Sequence, residues 1–314
     1  GRKIKVYDYA SKPSTVESKG GASFSFSNNY EVNNYNKDKK ILRQNILVPG
    51  FGFNPDDGFR IGLQNVYTIN AFKRNPFTQQ HTISGGFYFA TSGFDVSYTG
   101  EFANVLGDFN LKVGGMFTSE NFSENFFGFG NLSVNPDDEL DMDYNRVKIS
   151  KLIGTLGFVR NGDFGSVLSF TSSIEGIKVD DTEGRFLSDE FVGNQASLPE
   201  DLRPDANFFE RKYFVGLEAG FLYESYDNQL NPTRGMKFEV NTGGKYNTNE
   251  ETTYGYLKPY LGFYNALTRN RKLVLKSNIA AHINVGDNFE FYQGAHSGGQ
   301  TGNRAYRNQR FTGE

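Results

Sequence analysis

The sequence predicts an all-β protein, and more specifically a transmembrane antiparallel β-barrel with about eleven strands present. Three observations predict it. Segments of ten or more residues alternate apolar and polar side chains, turn residues separate these segments, and the connections between them fall into long and short sets. A side-chain period of two is typical of a strand whose two faces meet different surroundings.

The alternation is clearest in two segments. In the first, one face carries Tyr213, Val215, Leu217, Ala219, Phe221 and Tyr223, and the other carries Lys212, Gly216, Glu218, Gly220 and Glu224, with Phe214 and Leu222 as exceptions. In the second, one face carries Leu273, Leu275, Ile279, Ala281, Ile283 and Val285, and the other carries Lys272, Lys276, Asn278, His282 and Asn284. Both segments are longer than the usual strand of a soluble protein and long enough to cross a bilayer at a tilt.

A soluble β-sandwich is the alternative fold, because its strands also alternate. Strand length favours the barrel, and so does the position of the tyrosines near strand ends, where a headgroup belt would lie. These are Tyr213, Tyr223, Tyr226, Tyr254, Tyr256 and Tyr264. The chain has 31 Phe, 18 Tyr and no Trp, so Phe and Tyr would have to form the girdle. No run of roughly 18 apolar residues occurs, which excludes a transmembrane helix.

We predict a linker or N-terminal extension at 1–40, followed by an incomplete barrel at 41–314. The predicted strands are 41–54, 58–71, 79–91, 93–103, 108–118, 142–160, 164–180, 211–227, 235–248, 253–267 and 271–286. Long connections (119–141, 181–210 and 287–314) follow odd-numbered strands. Because outer-membrane barrels have long extracellular loops, the first strand should begin on the periplasmic side. Bacterial single-chain barrels have even strand numbers, so we expect further strands after the last loop.

Enzyme chemistry is not predicted. The chain has no cysteine, and its three histidines (His81, His282 and His296) lack metal-binding spacing. His282 lies on the polar face of its strand and is expected to face the lumen. Residues 54–58 and 135–139 have the composition of calcium loops without the ligand spacing, which favours turns. The net charge of −3 gives no support for a nucleic-acid partner. We expect no catalytic residue, no cofactor and no bound metal.

The segment GGQTGNRAYRNQRFTGE at 298–314 is the most informative one. Its composition alone favours a solvated extracellular loop, whereas a polar lumen would also offer partners to Arg304, Arg307 and Arg310. The order GG-x4-RAY-x3-RF-x-G resembles the sixth extracellular loop of the BamA/TamA superfamily (bacterial surface antigen) of outer-membrane barrels. In that family the loop folds back into the lumen.

The resemblance implies a lumen-loop motif made of six residues, which are Arg304, Ala305, Tyr306, Arg310, Phe311 and Gly313. Arg304 would be the motif arginine and Tyr306 its aromatic partner. Ala305 stands where the family usually has glycine, which would cost strain if the position needs a positive φ. The family arginine engages an acidic residue on a later strand. By resemblance, Arg304 would hold the loop in the lumen in the same way.

Three other segments carry the resemblance. PGFGFNPDDGFRIGL (49–63) and ENFFGFGN (124–131) are similar to the branch fused to phosphoesterase or patatin-type modules. NPTRGMKFEV (231–240) is similar to a turn that leads into a later family strand. The family barrel has sixteen strands, with this loop after the eleventh. The resemblance therefore implies about eleven strands present of a probable sixteen.

The function that the resemblance implies is an outer-membrane assembly or translocation barrel, which inserts or exports polypeptides through a weak seam between first and last strands. Pro49, Gly50 and Gly52 fit such a seam, because proline removes a ladder donor and glycine weakens a strand. The alternatives are an anchor or exporter barrel for a fused N-terminal enzyme module, and a passive porin. The expected location is the outer membrane of a Gram-negative bacterium. The expected partners are outer-membrane lipid, unfolded or partly folded outer-membrane polypeptides, and periplasmic or lipoprotein accessory subunits.

Overall fold

The structure is a computed structural model of the 314-residue chain. It describes residues 4–15, 17, 20–28, 33, 43–54, 58–71, 74–131, 133, 139–162, 165–200, 203–286, 289–299 and 303–313. Strands account for most of these residues, which confirms the all-β prediction. The predicted turns at 54–58 and 135–139 lie largely outside the described residues.

The described residues form the following strands in chain order: β1 (Lys5–Asp8), β2 (Ser23–Phe26), β3 (Arg43–Asn54), β4 (Gly58–Ala71), β5 (Arg74–Tyr88), β6 (Gly93–Leu106), β7 (Phe109–Thr118), β8 (Ser123–Asn125), β9 (Arg146–Asn161), β10 (Ser166–Val179), β11 (Lys212–Tyr226), β12 (Gly235–Asn247), β13 (Thr252–Ala266), β14 (Val274–Ala280), β15 (Ile283–Val285), β16 (Ala295–Ser297) and β17 (Phe311–Gly313). Short helical turns occur at Met142–Asn145, Phe186–Val192, Gln195–Ser197 and Phe291–Gln293.

One antiparallel sheet holds all the predicted strands. Its order is β3-β4-β5-β6-β7-β9-β10-β11-β12-β13-β14, so neighbours in the chain are neighbours in the sheet. The predicted number, order and antiparallel pairing of the strands are therefore confirmed. In the described residues β3 and β14 are the two edges, and the sheet is not closed between them. The predicted bounds were wrong by several residues at 74–88, where the strand starts earlier, and at 142–145, which form a helical turn.

The last predicted strand, 271–286, is interrupted in the structure. β14 and β15 both pair with β13 in one unbroken register, and Ala281 between them lies opposite Pro259. The Ala281 amide donates to the Pro259 carbonyl at 3.0 Å, but proline has no amide hydrogen to donate in return. The loss of that hydrogen bond explains why the ladder breaks at this position.

The turn between β11 and β12 is fixed by an aspartate and a glycine. Asp227 accepts hydrogen bonds from the backbone amides of Thr233 (2.8 Å) and Arg234 (3.0 Å) and from the Thr233 hydroxyl (2.5 Å). These donors hold the pKa of the Asp227 carboxyl well below its usual range. Gly235 ends the turn at φ +143°, and a Cβ there would overlap the Ser225 carbonyl oxygen. The NPTRG sequence therefore requires its glycine.

The sheet exposes apolar side chains on one face and buries charged side chains on the other, which is the reverse of the arrangement in a soluble protein. On one face the large apolar side chains are exposed: Ile174 is 66 % exposed, Leu217 69 % and Ile279 77 %. On the opposite face, Glu175 and Lys212 are buried under the long connections. The predicted alternation is confirmed by this burial pattern. A soluble monomer rarely exposes so large an apolar surface.

The three long connections fold over the polar face at one end of the sheet. They carry β8, the helical turns at Phe186–Val192 and Phe291–Gln293, and the β16–β17 hairpin, and they bury a cluster rich in phenylalanine. Its buried members are Phe126, Val147, Ile149, Ile177, Val179, Leu187, Phe191, Phe208, Phe214 and Phe291. These connections are packed structure, a feature that the sequence did not predict.

Near the N-terminus, β1 and β2 pair in parallel and form a separate two-stranded sheet. They lie within the segment that the sequence predicts to be a linker or extension. The structure adds local pairing to that segment, and the division of the chain at residue 40 stays a prediction.

Candidate functional site on the polar face of the sheet

The centre of the phenylalanine cluster joins all three long connections. The Phe126 ring lies 5.1 Å from that of Phe191 and 4.7 Å from that of Phe291, centroid to centroid. Phe126 belongs to the FFGFGN segment, Phe191 to the connection after β10, and Phe291 to the connection after β15. Burial of aromatic rings is a large favourable term in folding. The cluster therefore holds the connections together over the polar face.

The last connection is also hydrogen-bonded to the FFGFGN segment. The Asn125 backbone amide donates to the Gln309 side chain at 2.9 Å, and the Asn125 side chain donates to the Asn308 carbonyl at 3.0 Å. Further along, the Gly130 amide donates to the Thr312 carbonyl at 2.8 Å. Two of the four segments that carry the family resemblance, 124–131 and 298–314, are thus neighbours in space.

Two arginines of the last connection lie against the same buried ring. The Arg307 and Arg310 guanidinium carbons lie 5.2 Å and 4.8 Å from the centroid of Phe127, which is 1 % exposed. Arg310 is itself buried and donates to the Ser133 hydroxyl at 2.7 Å and to the Ser133 carbonyl. Cation–π contacts gain strength when desolvated, as these are. We call residues 124–131, 133 and 303–313, joined in this way, the loop interlock.

In the structure, the residues of the predicted lumen-loop motif differ in their burial. Arg310 is buried, whereas Arg304, Ala305 and Tyr306 are exposed. The Tyr306 ring packs 5.0 Å from that of Phe311, and Gly313 is the last residue of β17, where it pairs with Ala295. Ala305 does not adopt a positive φ, so it carries none of the strain considered above. An acidic partner for Arg304 stays a prediction.

A second link between the loops and the sheet is centred on Lys212, at the start of β11. Its ammonium lies 2.5 Å from a carboxylate oxygen of Glu250, 2.5 Å from Glu290 and 3.4 Å from Asp205. The lysine side chain is only 4 % exposed. The three carboxylates come from three different connections, and their oxygens lie within 4.8 Å of one another. This spacing would suit a metal ion, but the ammonium occupies the position between them.

Burial perturbs the acid–base behaviour of this loop region. It raises the pKa of Glu290, although the Lys212 charge acts in the opposite direction. Burial also lowers the pKa of His296, with a smaller opposing effect from Glu124. Lys151, on β9, pairs with Glu124, and the Gln309 side chain donates to the same carboxylate at 3.4 Å. These groups connect the wall of the sheet with the loop interlock.

A cavity of about 500 Å³ lies between the polar face of the sheet and the last connection. Strands β9, β10, β11, β12 and β13 form one side of it, and Tyr292, Gln293 and His296 form the other. His282 lines this cavity from the polar face of the sheet, the face on which the sequence placed it, and its exposure to a lumen stays a prediction. The walls are mostly polar, in keeping with the predicted lumen.

The predicted seam residues Pro49, Gly50 and Gly52 all lie on β3, an edge strand of the described sheet. Gly50 faces Gly62 across the β3–β4 pair, and a Cβ on Gly52 would meet no atom within 4 Å. Their position is compatible with a strand edge that opens, and the seam itself stays a prediction.

Sequence reasoning missed the residues that tie the connections down. Lys212 was placed on the polar face, but its three carboxylate partners could not be named, because they lie 7, 38 and 78 positions away. Phe126 and Phe127 were recognised as a motif and not as a buried core. One signal was available for the core: phenylalanine recurs in each of the three long connections.

No helix in the described part of the chain is long and apolar enough to cross a membrane.

The class that the fold defines is an all-β protein built on one long antiparallel meander, with a polar face covered by its own connections. No family model matches the chain, and no curated protein matches it. Among solved structures, it is similar to BamA from Haemophilus ducreyi lacking POTRA domains 1–3, with a TM-score of 0.55 and 15 % sequence identity. The similarity covers 85 % of this chain and 46 % of that one, so the chain spans about half of that protein's length. The chain therefore shares its fold with part of that protein, and its own sheet is open between β3 and β14 among the described residues.

Proposed function

We propose that the chain is part of an outer-membrane barrel that inserts or exports polypeptides, in a Gram-negative bacterium. The observation that carries the proposal is the inverted polarity of the sheet. Exposed apolar side chains on one face suit hydrocarbon, and the buried charges on the other face suit a polar lumen. Lipid is the environment in which this arrangement is stable, because the strands between the two edges pair their backbones on both sides and the apolar face needs no water.

The described strand lengths support a membrane location. Ten of the strands in the sheet are 10–16 residues long. About 9–11 tilted residues cross the hydrocarbon core. All three long connections emerge at one end of the sheet, which we assign to the extracellular side. Closure of the sheet by further strands is part of the proposal.

The loop interlock favours a polypeptide-handling barrel over a passive porin. A porin needs an open channel, whereas the last connection here lies across the polar face and is fixed by Arg310 and Lys212. In the proposed mechanism, the β3 edge pairs with an incoming strand by β-augmentation. The chain's own residues supply the template edge, and no covalent chemistry or cofactor is required.

The second candidate is an anchor or exporter barrel for a fused N-terminal module. It rests on the sequence resemblance of residues 49–63 and 124–131. The same sheet and the same loops would serve it. The two candidate functions differ in whether the barrel acts on other barrel proteins or only on its own chain.

The proposal is tested with the full-length protein in proteoliposomes. We expect it to accelerate membrane insertion of an unfolded outer-membrane β-barrel client. A photo-crosslinker at Val48 on β3 should capture the client, and one at Val240 on the interior strand β12 should not. Capture at both positions, or at neither, would count against the edge mechanism. No acceleration, together with surface display of an N-terminal module, would favour the anchor. A large, steady conductance would favour the porin.

A further inference from the structure

His296, on β16, is a partly buried histidine of the last connection with one unsatisfied ring nitrogen. Its Nδ1 lies 3.2 Å from the Thr312 hydroxyl, and Thr312 is 1 % exposed. Its Nε2 is buried and has no hydrogen-bond partner among the described residues. The seated connection therefore satisfies the imidazole at one nitrogen only.

The unsatisfied nitrogen favours the neutral form of the ring. A neutral imidazole carries one N–H, whereas an imidazolium donates at both nitrogens. Protonation of the seated ring would leave a charge and an N–H without an acceptor in a buried position, and each of these carries a desolvation cost. Water supplies the missing acceptor once the ring leaves its site. Protonation therefore favours a state in which the last connection has moved away from the sheet.

Three charged side chains on other elements act on the His296 ring: Glu124 on β8, Lys151 on β9 and Lys258 on β13. The two lysines oppose its protonation. Glu124 favours it, but this carboxylate is already paired with Lys151. The Tyr292 carbonyl also favours the charged form, yet neither it nor Glu124 forms a hydrogen bond with Nε2. Burial outweighs both groups and holds the pKa of His296 below its usual value of 6.5.

The cavity that His296 lines offers no further counter-charge among the described residues. On its opposite wall, Glu175 pairs with a lysine of β12 at 2.8 Å, and Glu218 accepts a tyrosine hydroxyl at 2.8 Å. His282 lines the same cavity, and its protonation would add a second positive charge. A charged His296 is therefore not compensated while the connection is seated.

Thr312 connects the His296 ring to the loop interlock. The two residues pair with each other in the β16–β17 ladder. Thr312 also forms a bridge with Phe129, and its carbonyl accepts the Gly130 amide at 2.8 Å. Departure of the ring therefore removes a contact at the point where the hairpin meets the interlock.

We propose that the last connection is an acid-released lid: protonation of His296 unseats residues 289–299 and 303–313 from the polar face of the sheet and opens the cavity of about 500 Å³ beneath them. Histidine suits such a switch, because its charge changes near neutral pH. A lid of this kind goes beyond the proposed function, since it would control access to the polar face in an insertase, an anchor or a porin alike.

Three titrating groups define the sign and the pH range of the release. The contribution of His296 to seating is complete above pH 6.5 and is lost as the pH falls through its folded pKa. Burial raises the pKa of Glu290, so its contribution is complete at low pH and is lost as the pH rises, which is the opposite sign. Glu124 is also buried, yet Lys151 and Gln309 hold its pKa below 4.5, so its contribution is lost only below that pH. Release between pH 6.5 and 4.5 therefore indicates His296.

Pulsed electron resonance on the full-length protein in detergent micelles tests the lid by measuring the distance between two spin labels. The labels are attached to two exposed positions, through Ser297→Cys beside His296 and Asp181→Cys just after β10. The 314 residues contain no cysteine of their own. The distance distribution is recorded on both sides of pH 6.5.

The key variant is His296→Gln, because its amide keeps a hydrogen-bonding group for Thr312 and takes up no proton. His282→Gln is the matched control. That histidine lines the same cavity, but its Nε2 already has the Asn284 side-chain oxygen as a partner at 3.1 Å. Its protonation therefore leaves no N–H without an acceptor at that atom.

We expect the wild type to show one distance above pH 6.5 and a second, longer and broader population that grows below it. One-proton linkage changes the ratio of seated to released protein by at most about tenfold per pH unit. His296→Gln should stay seated down to pH 4.5, and His282→Gln should release as the wild type does. An unchanged distance in the wild type would overturn the proposal. Acid release by a seated His296→Gln, or its loss in His282→Gln, would overturn it equally.

A second variant covers the case in which His296→Gln is unseated at every pH. The combination of His81→Gln and His282→Gln leaves His296 as the only histidine of the 314 residues. Release of this variant between pH 6.5 and 4.5 supports the lid, and the absence of release contradicts it.

Discussion

Replacement of Lys212 by methionine should loosen the last connection. The lysine is 4 % exposed and lies between carboxylates that are 12 % (Glu290), 27 % (Glu250) and 62 % (Asp205) exposed. Removing one partner of a buried ion pair costs about 3–5 kcal/mol, because the other charge stays buried without compensation. Glu290 carries most of that cost here, since Asp205 is largely solvated. We expect a loss of about 3 kcal/mol at neutral pH.

The loss should depend on pH in a defined direction. Burial already raises the pKa of Glu290, and removal of the neighbouring ammonium raises it further. As the pH falls, Glu290 becomes protonated and the uncompensated charge disappears. The difference between wild type and Lys212→Met should therefore shrink on acidification. The free energy of unfolding is measured by urea titration in micelles, and loop seating by limited proteolysis.

Two further variants make the prediction specific. Adding Glu290→Gln to Lys212→Met should recover most of the loss, because it removes the charge that was left alone. Lys237→Met is the control, because its side chain is 29 % exposed and such pairs contribute less than about 1 kcal/mol. The reasoning is refuted if Lys212→Met costs no more than Lys237→Met, or if Glu290→Gln restores nothing.

Three other predictions follow from single sites. Gly235→Ala should destabilise the protein by roughly 2 kcal/mol or more, because it introduces strain at the β11–β12 turn. Gly52→Ala is the control, because its new methyl group meets open space and should not destabilise the protein. Thermal unfolding of both variants measures the difference. Arg310→Ala should expose residues 303–313 to protease, because it removes the contacts with Phe127 and Ser133, and Arg310→Lys should restore the protection only partly. The hypothesis that Arg304 holds the loop is contradicted if Arg304→Ala leaves both protease protection and barrel stability unchanged. Burial lowers the pKa of His296, so its contribution to the stability of the seated loop is fully present above the unfolded pKa of 6.5 and is lost as the pH falls through the folded pKa. His296→Gln should therefore make the protection of the loop from protease less dependent on pH. An unchanged pH profile would refute this.

The strands could be predicted because their signal is local. A period of two over ten or more residues indicates the two faces of a strand directly. The predicted strand 164–180 therefore agrees with β10 (Ser166–Val179), and the predicted strand 58–71 agrees with β4 (Gly58–Ala71). The break opposite Pro259 was missed, since it depends on which residue of β14 or β15 pairs with that proline.

The site could be predicted only in part, because its contacts join distant segments. The motif pattern named Arg304 as the motif arginine, and only packing against Phe127 shows that Arg310 is the buried one of the two. Burial and pairing across loops are properties of the assembled sheet.

The most direct test of the account uses the absence of cysteine from the chain. Single cysteines are introduced along β11 in the full-length protein, labelled with a fluorophore and reconstituted in bilayers. Positions 215, 217 and 221 should be quenched by a lipid-phase quencher, and positions 216 and 218 only by an aqueous one. Equal aqueous quenching at all five positions would contradict the membrane-spanning sheet on which the proposed function rests.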